Sequence, residues 1–233
     1  MAIRLLPYRQ YDEQDVVNLF SFGGTINAKP SETNADSGML VKVSSSDLSA
    51  PPVEYLSSHS LLGKTDYPHV ARNGYPQVPL KVVAAGDGDA AILGITLNQT
   101  LTHDENDENL LRYPQKKAEL FAVTSGEAVP IATKGIFTFD GSAVSHVKGS
   151  DVDQNGVEVD GNEGDAAWKC DGTENLVAVA SATAGKIHLK RKAHANETYV
   201  GKVLGTGKRT AQTEDDQFAK SGSSHYVVVK LDL

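Results

Sequence analysis

Short runs of alternating or β-branched residues recur along this chain, at 78–85, 91–98, 117–124, 128–132, 135–140, 176–180, 186–190, 198–204 and 225–231. Clusters of Gly, Asp, Asn or Ser separate most of them, the spacing expected of a β-sandwich or barrel. The pattern predicts an all-β fold with an antiparallel barrel or sandwich core. The stretch SGEAVPIATKGIFTF, residues 125–139, condenses it: an apolar segment ending at Ala132, a pause at Lys134-Gly135, then the alternation Ile136-Phe137-Thr138-Phe139. Two short strands and the corner between them are expected there. The segment DENDENLLRYPQKKAEL supports only a turn or two of helix between Asn106 and Arg112, with Pro114 as its interruption.

Residues 1–50 read differently. After a short helix or strand over 13–22, the segment GGTINAKPSETNADSGML is polar and turn-rich, with little periodicity to hold it to a core. An extended N-terminal arm with a polar loop is therefore expected over 1–50, and a β-rich core domain over 51–233 with an acidic insert near 149–172. The prolines and aromatics of 51–79 resist helix and central strand, which suggests a segment wrapped over a surface.

Charge narrows the partners. Lys and Arg number 22 against 30 Asp and Glu, giving a net charge of −8. Such a surface repels a polyanion, so no nucleic-acid partner is expected. The basic stretch KIHLKRK alternates like a strand and reads as a solvated face. No apolar run reaches the roughly 18–20 residues of a membrane span, and the opening MAIRLLPYRQYDEQD lacks the apolar core of a secretory signal. Folding in a cytosol, with no membrane partner, is the expectation. The lone Cys170 agrees with it, since it can form no internal disulfide.

Motifs for chemistry mostly fail on inspection. Asp151, Asp153, Asn155 and Gly156 fill positions 1, 3, 5 and 6 of a calcium loop, where oxygen ligands alternate and a glycine permits the turn. Position 12 is then Asn162, with Glu163 one residue late, so the stretch reads instead as a solvated acidic hairpin. In GKVLGTGKRT the glycine spacing is one residue too long for a phosphate loop, and Arg209 stands where Ser or Thr is needed. A hairpin turn is expected. No nucleophile elbow occurs, and the histidines lack metal-ligand spacing. The acidic run HDENDEN, residues 103–109, packs Asp104, Glu105, Asp107 and Glu108 together, but consecutive exposed acids stay ionised and suit a solvated loop better than a hydrolytic pair. No catalytic residues, cofactor or resident metal are predicted.

The stretch from 93 to 139 carries a resemblance. It consists of Gly94-Ile95-Thr96-Leu97-Asn98, the acidic Asp104-Glu105-Asn106 loop with Leu110-Leu111 and Gln115-Lys116-Lys117-Ala118, and the Ser125-Gly126 turn leading to Ala128-Val129-Pro130-Ile131 and Gly135. These elements, with RLLPYRQYDEQDVVNLF at the start and residues 65–82, resemble capsid decoration (cement) proteins of tailed bacteriophages, particularly cyanophage and other marine myovirus-like phages. The insert around 151–170 has no counterpart in the resemblance. It implies a non-enzymatic virion protein, assembled in the host cytoplasm onto the capsid exterior. There it would contact the major capsid protein as a homo-oligomer, a trimer being favoured, and stabilise neighbouring capsomers. On this reading the shell-binding residues of the arm are Ile3, Leu5, Leu6, Tyr8, Tyr11, Val16, Val17, Leu19 and Phe20. Two rivals remain: an exposed virion adhesion or carbohydrate-binding module, which would present accessible aromatics, and a hydrolase built on the acidic loop.

Overall fold

The computed structural model describes residues 5–32, 34–44, 78, 80–86, 88–89, 92–110, 113–140, 177–181, 184–190, 198–208 and 225–233. The fold is all-β, with mixed sheets curled into a half-barrel. The first sheet has six strands in the spatial order β1 (Leu5–Gln10), β10 (Lys134–Asp140), β14 (His225–Asp232), β13 (Tyr199–Lys208), β11 (Val177–Ala180) and β12 (Ile187–Lys190). Every neighbouring pair in it is antiparallel. The second sheet, also of six strands, runs β2 (Val16–Val17), β9 (Ile131–Ala132), β6 (Ile92–Thr96), β4 (Leu40–Val43), β5 (Lys81–Ala84) and β3 (Ser21–Phe22). Only its β3–β5 pair is parallel.

Alternation along these strands builds one core between the sheets. Phe137, Phe139, Val227 and Val229 from the first sheet are fully buried, as are Leu40, Val41, Val82, Ile95 and Ile131 from the second, and all belong to one apolar cluster. Burying each such side chain contributes about 1.5–3 kcal/mol. The corner read from the sequence at 125–139 is where the chain changes sheets: β9 lies in the second and β10 in the first, with Thr133 alone between them. Gly135 has φ +134°, and a Cβ there would come within 2.7 Å of the Gln10 carbonyl oxygen, so the bend requires glycine.

The N-terminal segment departs from expectation. Residues 5–44 are not a detached arm, because they supply β1, β2, β3 and β4 to both sheets. The polar segment between β3 and β4 is held through side chains that hydropathy patterning does not count. Asn27, fully buried, donates to Asp36 Oδ1 at 2.9 Å and accepts from the backbone N–H groups of Asn34 and Ala35 at 2.7 and 3.1 Å. Thr96 then donates to the Asp36 carbonyl at 2.7 Å, tying the loop to β6.

Two further readings change. Pro114 starts a helix instead of interrupting one: α1 spans Pro114–Glu119 with the proline in its first turn, where its missing N–H removes no hydrogen bond. The strand expected over 117–124 is therefore only β8 (Ala122–Val123), which pairs in parallel with β7 (Gln99–Thr100). The strand expected over 198–204 is present as β13, and it runs on through Gly205–Lys208, where a hairpin turn was expected. A Cβ on Gly201 would lie 2.2 Å from the Lys230 carbonyl oxygen, so this glycine lets β13 approach β14, and the register shifts between Val203 and Gly205.

Because Phe137 fills the middle of β10 with no exposed surface, Phe137→Ala leaves a cavity that the sheets cannot readily close. It is expected to lower unfolding stability by about 3–5 kcal/mol, measured by urea denaturation followed by far-UV circular dichroism.

Candidate functional site

An open cleft of about 420 Å³ sits where the N-terminal segment passes from one sheet to the other. Its apolar lining is Val16 of β2, Leu97 just after β6 and Pro130 just before β9, and the last two are joined by a 2.8 Å bond from the Leu97 N–H to the Pro130 carbonyl. Arg9 of β1, Tyr11, Glu13, Asn18 and Asn98 supply the polar lining.

Local structure explains why these side chains converge. β1 pairs with β10 and β2 pairs with β9, so residues 5–17 follow residues 131–140 in antiparallel around the corner. Asp12 caps the tight 3-10 turn at Glu13–Asp15 by accepting from the Gln14 N–H at 2.9 Å. The Asp15 carbonyl in turn accepts from both the N–H and the hydroxyl of Thr133, at 2.9 and 3.1 Å. Turn and corner are thereby locked together. Tyr11 stacks on the buried Phe137 ring, with centroids 5.7 Å apart and planes 16° from parallel. The Arg9 guanidinium lies over the Tyr11 ring at 5.9 Å from its centroid, within cation–π range.

The residues named from the sequence divide by exposure. Tyr8 is 77% exposed and Leu19 is 54% exposed, while Tyr11 is 36% exposed and lines the cleft. Leu5, Val16 and Phe20 pack against the core, and Leu6 and Val17 are half-buried. Ile3 lies outside the described residues, as does the calcium-loop candidate Asp151, Asp153 and Asn155. Sequence reading missed Arg9, Glu13, Asn18 and Asn98 as a set. They come from segments separated by about eighty residues and share no spacing, so only the fold joins them.

The acidic run 103–109 is organised in a way that its composition conceals. Asp104 is buried, and its Oδ1 accepts from the N–H groups of Asn106 and Glu108 at 2.9 and 2.8 Å. Its Oδ2 meets the Lys116 ammonium at 2.6 Å, and Lys116 also pairs with Glu108. Lys117, the next residue of α1, pairs with Glu127 at 2.8 Å, so the helix pins the chain on both sides. The Lys116 hydrogen bond holds the Asp104 carboxyl below its ordinary range, outweighing burial, with the Glu108 and Asn106 N–H groups acting in the same direction. Lys116 is raised correspondingly, through its bonds to Asp104 and Glu108. A carboxyl held this way stays ionised, the reverse of what a general acid requires. The run expected to be solvated is exposed at Glu105, Asn106 and Asp107, but it is anchored by the buried Asp104 in an ionic clamp with Lys116 and Glu108, both partly open to water. At Glu127 burial pushes the pKa up, but Lys117 and the Thr124 N–H outweigh it and leave it lowered.

Among the described residues, no cluster of His, Cys, Asp and Glu is arranged to hold a metal ion. Also among them, no helix is long and apolar enough to cross a membrane. Compared with protein-family models, with curated proteins and with solved structures, the chain matches none.

The clamp has a pH signature of definite sign. Asp104 is lowered in the folded state, so its contribution is present above the unfolded carboxyl pKa near 4 and is lost as pH falls through the folded value. Asp104→Asn is expected to lower the melting temperature at pH 7 and to flatten the acid limb of a melting-temperature profile between about pH 5 and pH 2. An unchanged acid limb would show that the clamp does not contribute.

Proposed function

We propose that this chain is a non-enzymatic virion structural protein that binds the outer surface of a phage capsid and stabilises neighbouring capsomers. One observation carries the reading: the N-terminal segment, integral to the β-core, presents Tyr8 at 77% and Leu19 at 54% exposure, next in sequence to the cleft residues Arg9 and Asn18. Tyr8 stands on β1 and Leu19 in the link 18–20 between β2 and β3, and a large apolar side chain left in water at either place gains little. Against a partner each becomes an anchor. The resemblance of residues 93–139 to decoration proteins supports the same reading, since that stretch supplies Leu97, Asn98 and Pro130 to the cleft.

The partner is the major capsid protein, met on the capsid exterior, and the protein acts as a homo-oligomer, with a trimer favoured. Each copy need bind only weakly, because a subunit of an oligomer engages a repeating shell with a high effective concentration. Leu5, Val16 and Phe20 support the fold, leaving Tyr8 and Leu19, with Tyr11, as the contact set.

Deleting residues 1–22 would remove three strands and so confound binding with folding. The exposed side chains offer a cleaner test. The double variant Tyr8→Ser, Leu19→Ser is expected to keep its melting temperature within about 2 °C, since surface changes shift stability little. Its occupancy on expanded heads lacking the native protein, counted by cryo-electron microscopy, is expected to fall at least about tenfold, a loss of about 1.4 kcal/mol across the two anchors. Undiminished occupancy would place the contact elsewhere.

A further inference from the structure

We infer that the cleft beneath the N-terminal segment is a binding site for an acidic saccharide, a sugar carrying a carboxylate of the uronate type. The inference does not require the shell-binding proposal, although Tyr11 belongs to both surfaces. Volume is the first argument: about 420 Å³ falls within the range of small-ligand sites. Polar capacity left open is the second. Arg9, Glu13, Asn18 and Asn98 line one concavity, yet their side chains form no hydrogen bond or ion pair with the described residues. Arg9 and Glu13 carry opposite charges in the same cleft and still do not pair.

The chemistry of those groups selects the ligand. The Arg9 guanidinium lies over Tyr11, which is stacked on the buried Phe137, so a cation–π contact biases it toward the cleft while leaving its hydrogen-bond donors open. A planar guanidinium suits a carboxylate, which it can bind through two parallel hydrogen bonds. A ligand bearing only a carboxylate would leave the rest of the lining unused and would meet repulsion from Glu13. Sugar hydroxyls resolve this, because each both donates and accepts: Glu13 accepts from them, while the amides of Asn18 and Asn98 do both. The apolar floor of Val16, Leu97 and Pro130 is suited to the C–H face of a pyranose ring. Carboxylate and hydroxyls on one small ring match the whole set.

The test is isothermal titration of the full chain with trigalacturonate, with maltotriose as the neutral saccharide and sodium glutamate as the carboxylate without hydroxyls. Saturable binding of trigalacturonate, at least about tenfold tighter than either control, is the expected result. Arg9→Gln should weaken it about tenfold through loss of charge-assisted bonds. Asn98→Ala should narrow the gap between trigalacturonate and glutamate. Both side chains are only half-buried and make no hydrogen bond or ion pair with the described residues, so nearly unchanged melting temperatures are expected to accompany these losses. Absence of saturation at millimolar ligand, equal binding of maltotriose, or an Arg9→Gln variant that binds as well as the original would overturn the inference. Glutamate binding as tightly as the uronate would also overturn it, and would indicate a pocket for an acidic protein side chain. Because free protein is titrated, failure here leaves the shell-binding proposal standing, and loss of head occupancy would not bear on the saccharide.

Discussion

The structure depends on an antiparallel ribbon that turns a corner. Residues 5–17 and 131–140 run against each other, pairing first in one sheet and then in the other. A single strand passing between stacked sheets must interrupt its ladder hydrogen bonds at the crossing, and a buried gap of that kind is costly. Here the two segments cross together, and the Asp15 carbonyl takes both donors of Thr133 at the gap. The core can then close above and below, with Phe137 on one side and Ile131 on the other. The cleft is a consequence of the same geometry, since the 3-10 turn that lets residues 11–15 round the corner also lifts Tyr11 and Glu13 to its rim.

Polar contacts extend this core where apolar residues are scarce. Asn27 and Asp36 order a loop that hydropathy would leave free, and Asp104 with Lys116 orders another. Behind the second lies a small cluster of its own, Leu101, Leu110 and Ala122. Three apolar residues are a thin core, which is why the ion pairs on α1 matter there. An ionic clamp partly open to water contributes modestly in free energy, but it limits the loop to one arrangement.

Strand existence was legible in the sequence because alternation reports burial on one face directly. β10, β12 and β14 fall within a residue of the bounds that patterning predicts, and the corner at 125–139 is where the chain changes sheets. Illegible were the elements that rely on something other than apolar periodicity. The polar segment 23–40 read as part of an arm over 1–50 because its anchors are Asn27 and Asp36. Pro114 looked like a breaker because its effect depends on position, which only the first turn of α1 reveals. The purpose of Gly201 could not be read from its neighbours, because the Lys230 carbonyl for which it leaves room lies in a strand about thirty residues away. The cleft was invisible for the same reason, as Arg9, Asn18 and Asn98 meet only after the fold has formed.

Native-state hydrogen exchange tests the central claim, that residues 5–22 are integral to the core and create the cleft. The informative amides are those of Thr133, Val129, Ser21 and Gly23. Their acceptors are the carbonyls of Asp15, Phe20, Leu80 and Val82. If the ribbon is structural, these amides open only with global unfolding and share the exchange free energy of Val229 in β14. Exchange of the Thr133 and Val129 amides at loop-like rates, with Val229 still protected, would contradict the account and return the N-terminal segment to the status of an arm.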